Sequence, residues 1–73
     1  MDPGHVSPYR NRGIAYGNQG QLDLAIADLT KVIELDPEFA LAYTNRAYVY
    51  EMLGDMDAAA SDRSKAEELS EGF

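Results

Sequence analysis

The strongest constraint on this chain is that it matches itself. Sliding the sequence by the 34 residues that separate Pro3 from Pro37 superposes Asp2 on Asp36, Tyr9 on Tyr43, Asn11-Arg12 on Asn45-Arg46, and Tyr16 on Tyr50. The agreement continues through Gly20 and Gly54, Asp23 and Asp57, Ala25 and Ala59, Asp28 and Asp62, Lys31 and Lys65, Glu34-Leu35 and Glu68-Leu69, and Phe39 and Phe73. Roughly a third of all aligned pairs are identical at one fixed offset, which is the mark of a repeat architecture. A fold for this chain must therefore be one unit used twice, with the first unit near residues 6–39 and the second near 40–73.

Periodicity inside each unit is helical. Tyr9, Gly13 and Tyr16, then Leu24-Ala25, Ile26, Leu29 and Val32-Ile33, recur at three- and four-residue spacings, so each unit reads as two amphipathic helices broken at Gly20 or Gly54. The punctuation agrees. Ser7-Pro8 offers a cap and a first-turn proline, Gly20 and Gly54 suit left-handed helix ends, and Asp36-Pro37 stops a helix. Helices are predicted near 7–19, 22–35, 41–53 and 56–70.

Composition bounds what such a chain can do. Of its 73 residues, 45% are hydrophobic and 26% charged, which permits a folded core. That core is small, since a chain of this size buries only about 60% of the surface its unfolded form exposes. No cysteine is present, so apolar packing must supply the stability. A net charge of -7 repels phosphate backbones and anionic lipid, which argues against nucleic acid and membrane surfaces as partners. No apolar run reaches the roughly 18 residues of a membrane span, and "MDPGHVSP" has neither the basic start nor the apolar stretch of a signal peptide. A cytoplasmic location is the corresponding expectation.

The period, the two helices per unit and the residue pattern together resemble the tetratricopeptide repeat family, whose signature is W-x2-L-G-x2-Y, A-x3-F, then P. The corresponding residues are Tyr9, Arg12, Gly13, Tyr16, Ala25, Leu29 and Pro37 in the first unit, and Tyr43, Arg46, Ala47, Tyr50, Ala59, Arg63 and Glu71 in the second. The resemblance spans essentially the whole chain and implies an all-α fold of two stacked antiparallel helix-turn-helix hairpins, a fragment of an α-solenoid. Independently of the family, the small pairs Gly13 with Ala25 and Ala47 with Ala59 suit a close helix crossing flanked by tyrosines. The duplicated Arg12 with Asp28, and Arg46 with Asp62, suit an ion pair bracing each hairpin.

The second unit departs from the first where a following repeat would stack: Ala60, Arg63 and Glu67 stand where the first has Ile26, Leu29 and Ile33. That face is polar, as at the end of an array. At the other end "MDPG" echoes "LDPE", the closing phrase of a unit, and reads as though a further repeat precedes it.

What the resemblance implies about function is a non-catalytic protein interaction module that binds a short peptide in a concave groove lined by the first helix of each unit. The groove residues are then Arg10, Asn11, Ile14, Asn18, Thr44, Asn45, Tyr48, Glu51 and Met52. The plainer reading is a solvated helix face, but Tyr48 and Met52 are apolar on the side away from the small-residue stripe, and a binding face explains them. Some family members hold the C-terminal carboxylate of heat-shock chaperones; Asn45 matches that pattern and Arg10 can stand for its first lysine, whereas Ile14 replaces a required asparagine. The alternative function is a structural unit that self-assembles, its exposed array ends stacking on another copy or on further repeats. Catalysis is not expected: His5 sits in a stretch read as extended, with no acid or nucleophile at a fixed spacing. No cofactor or metal is implied, and Asp55-x-Asp57 lacks the remaining ligands of a calcium loop and suits the start of the last helix instead.

Overall fold

The computed structural model describes residues 3–71, with side chains from 8 to 70. Four helices follow in order: α1 (Pro3–Asn18), α2 (Leu22–Leu35), α3 (Ala40–Leu53) and α4 (Met56–Glu71). The first begins earlier than the sequence predicts. Pro3, and not the Ser7-Pro8 pair, opens α1, so Pro8 lies inside the helix and His5 belongs to helix rather than to an extended segment. Proline at the start of a helix loses no bond, because the first N–H groups have no partner there in any case.

Both hairpin turns use the same device. Gly20 and Gly54 have φ of +80° and +86°, conformations a side chain resists. Each closes its helix with a paired bond: Gln21 N–H to Tyr16 C=O at 2.9 Å with Gly20 N–H to Gly17 C=O at 3.1 Å, and Asp55 N–H to Tyr50 C=O at 2.9 Å with Gly54 N–H to Glu51 C=O at 3.0 Å. These satisfy carbonyls that a helix end leaves open. Asp55 then caps α4, its carboxylate accepting from Ala58 N–H at 3.2 Å. Between the hairpins, Phe39 N–H closes a turn onto Asp36 C=O, and Tyr43 donates its hydroxyl hydrogen to Pro37 C=O at 3.0 Å.

Each helix packs on its neighbours in the chain, and α1 also touches α3. Helices joined by turns as short as those from Asn18 to Leu22 and from Leu53 to Met56 can pack along each other only antiparallel, and in each hairpin the arginine of the first helix reaches the aspartate of the second. Close approach is built from small residues. A Cβ on Gly13 would lie 3.1 Å from Leu29 Cγ and 3.3 Å from Ala25 O, and Ala25, Ala47 and Ala59 are all buried. The deepest side chains are Leu29 and Val32 of α2, which meets α1 on one side and α3 on the other. Val32 packs with Ala42, Tyr9, Ile33 and Phe39; Leu29 packs with Ala25, Val49, Tyr16, Leu22 and Ile26. The core therefore sits at the junction of the hairpins.

Two ion pairs brace the hairpins from within. Arg12 forks onto Asp28 at 2.8 and 2.9 Å, and Arg46 onto Asp62 at 2.7 and 2.8 Å. Each guanidinium also lies between two tyrosine rings, Tyr9 and Tyr16 for Arg12, and Tyr43 and Tyr50 for Arg46, at 5.7 to 5.9 Å. Hydrogen bonding to the carboxylate raises both arginines above their usual range. Arg46 alone makes a third bond, Nη1 to Thr30 Oγ1 at 3.1 Å, which ties the second hairpin to the first.

Candidate groove between the first helices of the two hairpins

Where α1 and α3 lie side by side, Gly17 leaves the space for their approach. Its missing Cβ would be 3.6 Å from Val49 Cγ2 and 3.9 Å from Met52 Cε. Beside this contact is a cavity of about 120 Å³, lined by Ile14, Gly17 and Asn18 from α1, Asn45, Tyr48, Val49 and Met52 from α3, and Leu29 from α2. Five of the nine residues expected to face a groove converge here: Ile14, Asn18, Asn45, Tyr48 and Met52. Leu29 and Val49 are buried, whereas Tyr48 is 62% exposed and Met52 44% exposed. The cavity thus has an apolar floor and a rim that projects into solvent.

One polar group at the cavity stands out. Asn45 Nδ2 is buried and has no hydrogen-bond partner. A buried amide donor left unpaired costs free energy, which a carbonyl placed opposite it would recover. The side chains around the cavity offer hydrogen bonding through Asn18, Asn45 and the Tyr48 hydroxyl, and apolar contact through Ile14, Leu29, Val49 and Met52.

The other four residues go elsewhere. Arg10 lays its guanidinium over the Phe39 ring at 5.8 Å, with its buried Nε unpartnered, and Asn11 is exposed. Thr44 donates weakly to Ala40 C=O at 3.4 Å and lines a different, broader cleft of about 310 Å³ with Arg63, Ala66, Glu67 and Ser70. Glu51 is held by Arg63 of α4. Gly17, Leu29 and Val49 were not expected at the site; Gly17 could have been found from its place one turn after Ile14, but Leu29 belongs to a second helix and no spacing along α1 or α3 points to it. Among the described residues no cluster of His, Asp or Glu is arranged to hold a metal ion. No described helix is long and apolar enough to cross a membrane.

A family model described as TPR repeat matches residues 15–54, and a second, described as Tetratricopeptide repeat, matches residues 40–72. The chain belongs to the tetratricopeptide repeat family. No curated protein matches it significantly. Tetratricopeptide repeats generally mediate protein–protein interaction and are typically non-catalytic. The second match covers the α3–α4 hairpin, while the first runs from within α1 to the turn at Gly54 and so spans the junction where this core sits.

Proposed function

We propose that this tetratricopeptide repeat chain is a non-catalytic interaction module that takes a short segment of a partner protein across the groove between α1 and α3. The observation that carries the reading is the unpaired Asn45 amide beside an apolar cavity whose rim, Tyr48 and Met52, is exposed. A peptide supplies what those features lack, an apolar side chain for the cavity and, once the Asn45 side chain turns outward, a backbone carbonyl for its amide. The cavity is of the size of one aliphatic side chain, so the segment is anchored at one or two positions. The net charge of -7 favours segments that are neutral or basic overall.

The test begins with peptides selected by display on the immobilised chain and titrated by calorimetry. Tyr48→Ala should weaken the selected peptides by about 2 kcal/mol or more, as truncation of an aromatic anchor does, with the helix content unchanged. Asn45→Ala should weaken them as well. Equal affinities for parent and Tyr48→Ala would return the groove to a solvated surface.

A further inference from the structure

Gly13 and Gly17 lie one turn apart on α1, and packing requires only the first. A Cβ on Gly13 would come within 3.1 to 3.3 Å of three atoms of α2, whereas a Cβ on Gly17 would meet Val49 Cγ2 at 3.6 Å and both Ala25 Cβ and Met52 Cε at 3.9 Å, which are ordinary contacts. The backbone makes no demand either. Positive φ falls at Gly20 and Gly54 and not at Gly17, which lies within the helix. The turn that follows is equally indifferent: one period later Glu51 stands at the same place, and Gly54 N–H reaches its carbonyl at 3.0 Å as Gly20 N–H reaches that of Gly17 at 3.1 Å. A glycine whose backbone alanine adopts equally well lowers stability, because it leaves the unfolded chain more freedom. What its missing side chain does provide is space. Gly17 forms part of the wall of the 120 Å³ cavity, and Val49 and Met52, which its Cβ would face from α3, line the same cavity.

We infer that Gly17 sets which side chain the groove accepts, admitting a branched aliphatic anchor of the partner segment, leucine or isoleucine; the inference rests on the groove being a peptide site. The volume decides the class of anchor. An apolar cavity of about 150 Å³ holds a benzene ring, and this one is smaller at about 120 Å³, so a four-carbon aliphatic side chain fits where an aromatic ring does not. The lining decides its polarity. Leu29 and Val49 form a buried floor, and a charged side chain seated on them would lose its hydration. A methyl group at position 17 would project between Val49 and Met52, into the space the tip of the anchor takes, and would leave α1 and α3 where they are.

The test compares parent and Gly17→Ala with peptides selected by display on the parent, each made with leucine, valine or phenylalanine at the anchor position. Affinities are measured by calorimetry and thermal melts by circular dichroism. The parent should prefer leucine to phenylalanine by roughly tenfold or more. Gly17→Ala should melt a few degrees above the parent, bind the leucine form roughly tenfold or more weakly than the parent does, and bind the valine form nearly as well as the parent. A variant that melts below the parent would show that packing requires the glycine, and a parent that prefers phenylalanine would show that the cavity does not select by size; either overturns the inference. Peptides whose binding ignores Tyr48→Ala remove the groove reading and this inference with it. Peptides that need Tyr48 yet bind parent and Gly17→Ala alike in every form overturn the role of Gly17 alone.

Discussion

Arg12 and Arg46 stand at matching places and form the same fork, yet their surroundings differ. The Arg12 side chain is 58% exposed and that of Arg46 is 18% exposed, while both carboxylate partners are buried. The difference arises because Arg46 lies at the junction of the hairpins, against Thr30, and Arg12 does not. Removing Arg46 strands Asp62 in a dry site and leaves Thr30 without its donor, so Arg46→Ala should cost about 3 kcal/mol. Arg12→Ala should cost less, because water can reach the vacated position beside Asp28. Urea titration of both variants decides this, and equal losses would show that the junction adds nothing to the pair. Both arginines are raised above their unfolded value, so the stabilisation they carry is complete below that value and is lost only as pH rises through the folded one. On the arginine side the pairs are therefore flat across the neutral range. The small residues at the crossings make a second claim at this scale: Ala25 is fully buried, and Ala25→Leu should overpack the crossing and cost about 1 to 3 kcal/mol in the same titration. A variant as stable as the parent would mean that the helices there are not in close contact.

Among the elements, α2 and α4 occupy matching places in their hairpins but have unequal partners. Helix α2 buries Ala25, Asp28, Leu29 and Val32 between two other helices. Among its described residues, helix α4 buries Ala59, Asp62 and Ala66, and these residues pack against α3. An alanine removes far less apolar surface from water than a leucine or valine, so α4 holds to the fold with less free energy. Native-state hydrogen exchange should therefore find α4 amides opening at lower free energy than those of α2, with α3 following α2. Equal protection in α2 and α4 would show instead that the hairpins unfold as one indivisible unit.

For the whole molecule, the repeat converts a small chain into a surface. Two hairpins in the same register place α1 beside α3, and the cavity exists only in that pairing because residues of both helices and of α2 enclose it. The overall extents of 32 × 27 × 15 Å describe a slab thin enough that few side chains are far from solvent. Such a slab has little core and much face.

The sequence by itself determined what depends on neighbours along the chain. The 34-residue period, the glycine turns at Gly20 and Gly54, three of the four helices within a residue at each end, and the bracing arginine–aspartate pairs all follow from helical spacing and turn chemistry, which act over a few residues or within one hairpin. The start of α1 escaped because Ser7-Pro8 and Pro3 are both acceptable openings, and local preference does not rank them. The tertiary structure decided everything that depends on the opposing face. Tyr48 and Met52 were legible as apolar residues on the outer side of α3, but that Ile14, Asn18 and Asn45 join them around a cavity floored by Leu29 required the hairpins to be stacked. Glu51, three residues after Tyr48 and so on the same helix face, reads from spacing as a groove residue; Arg63, twelve positions on and on another helix, draws it to the free end instead. An ion pair between helices depends on where folding brings two side chains, and no periodicity in either helix records that distance.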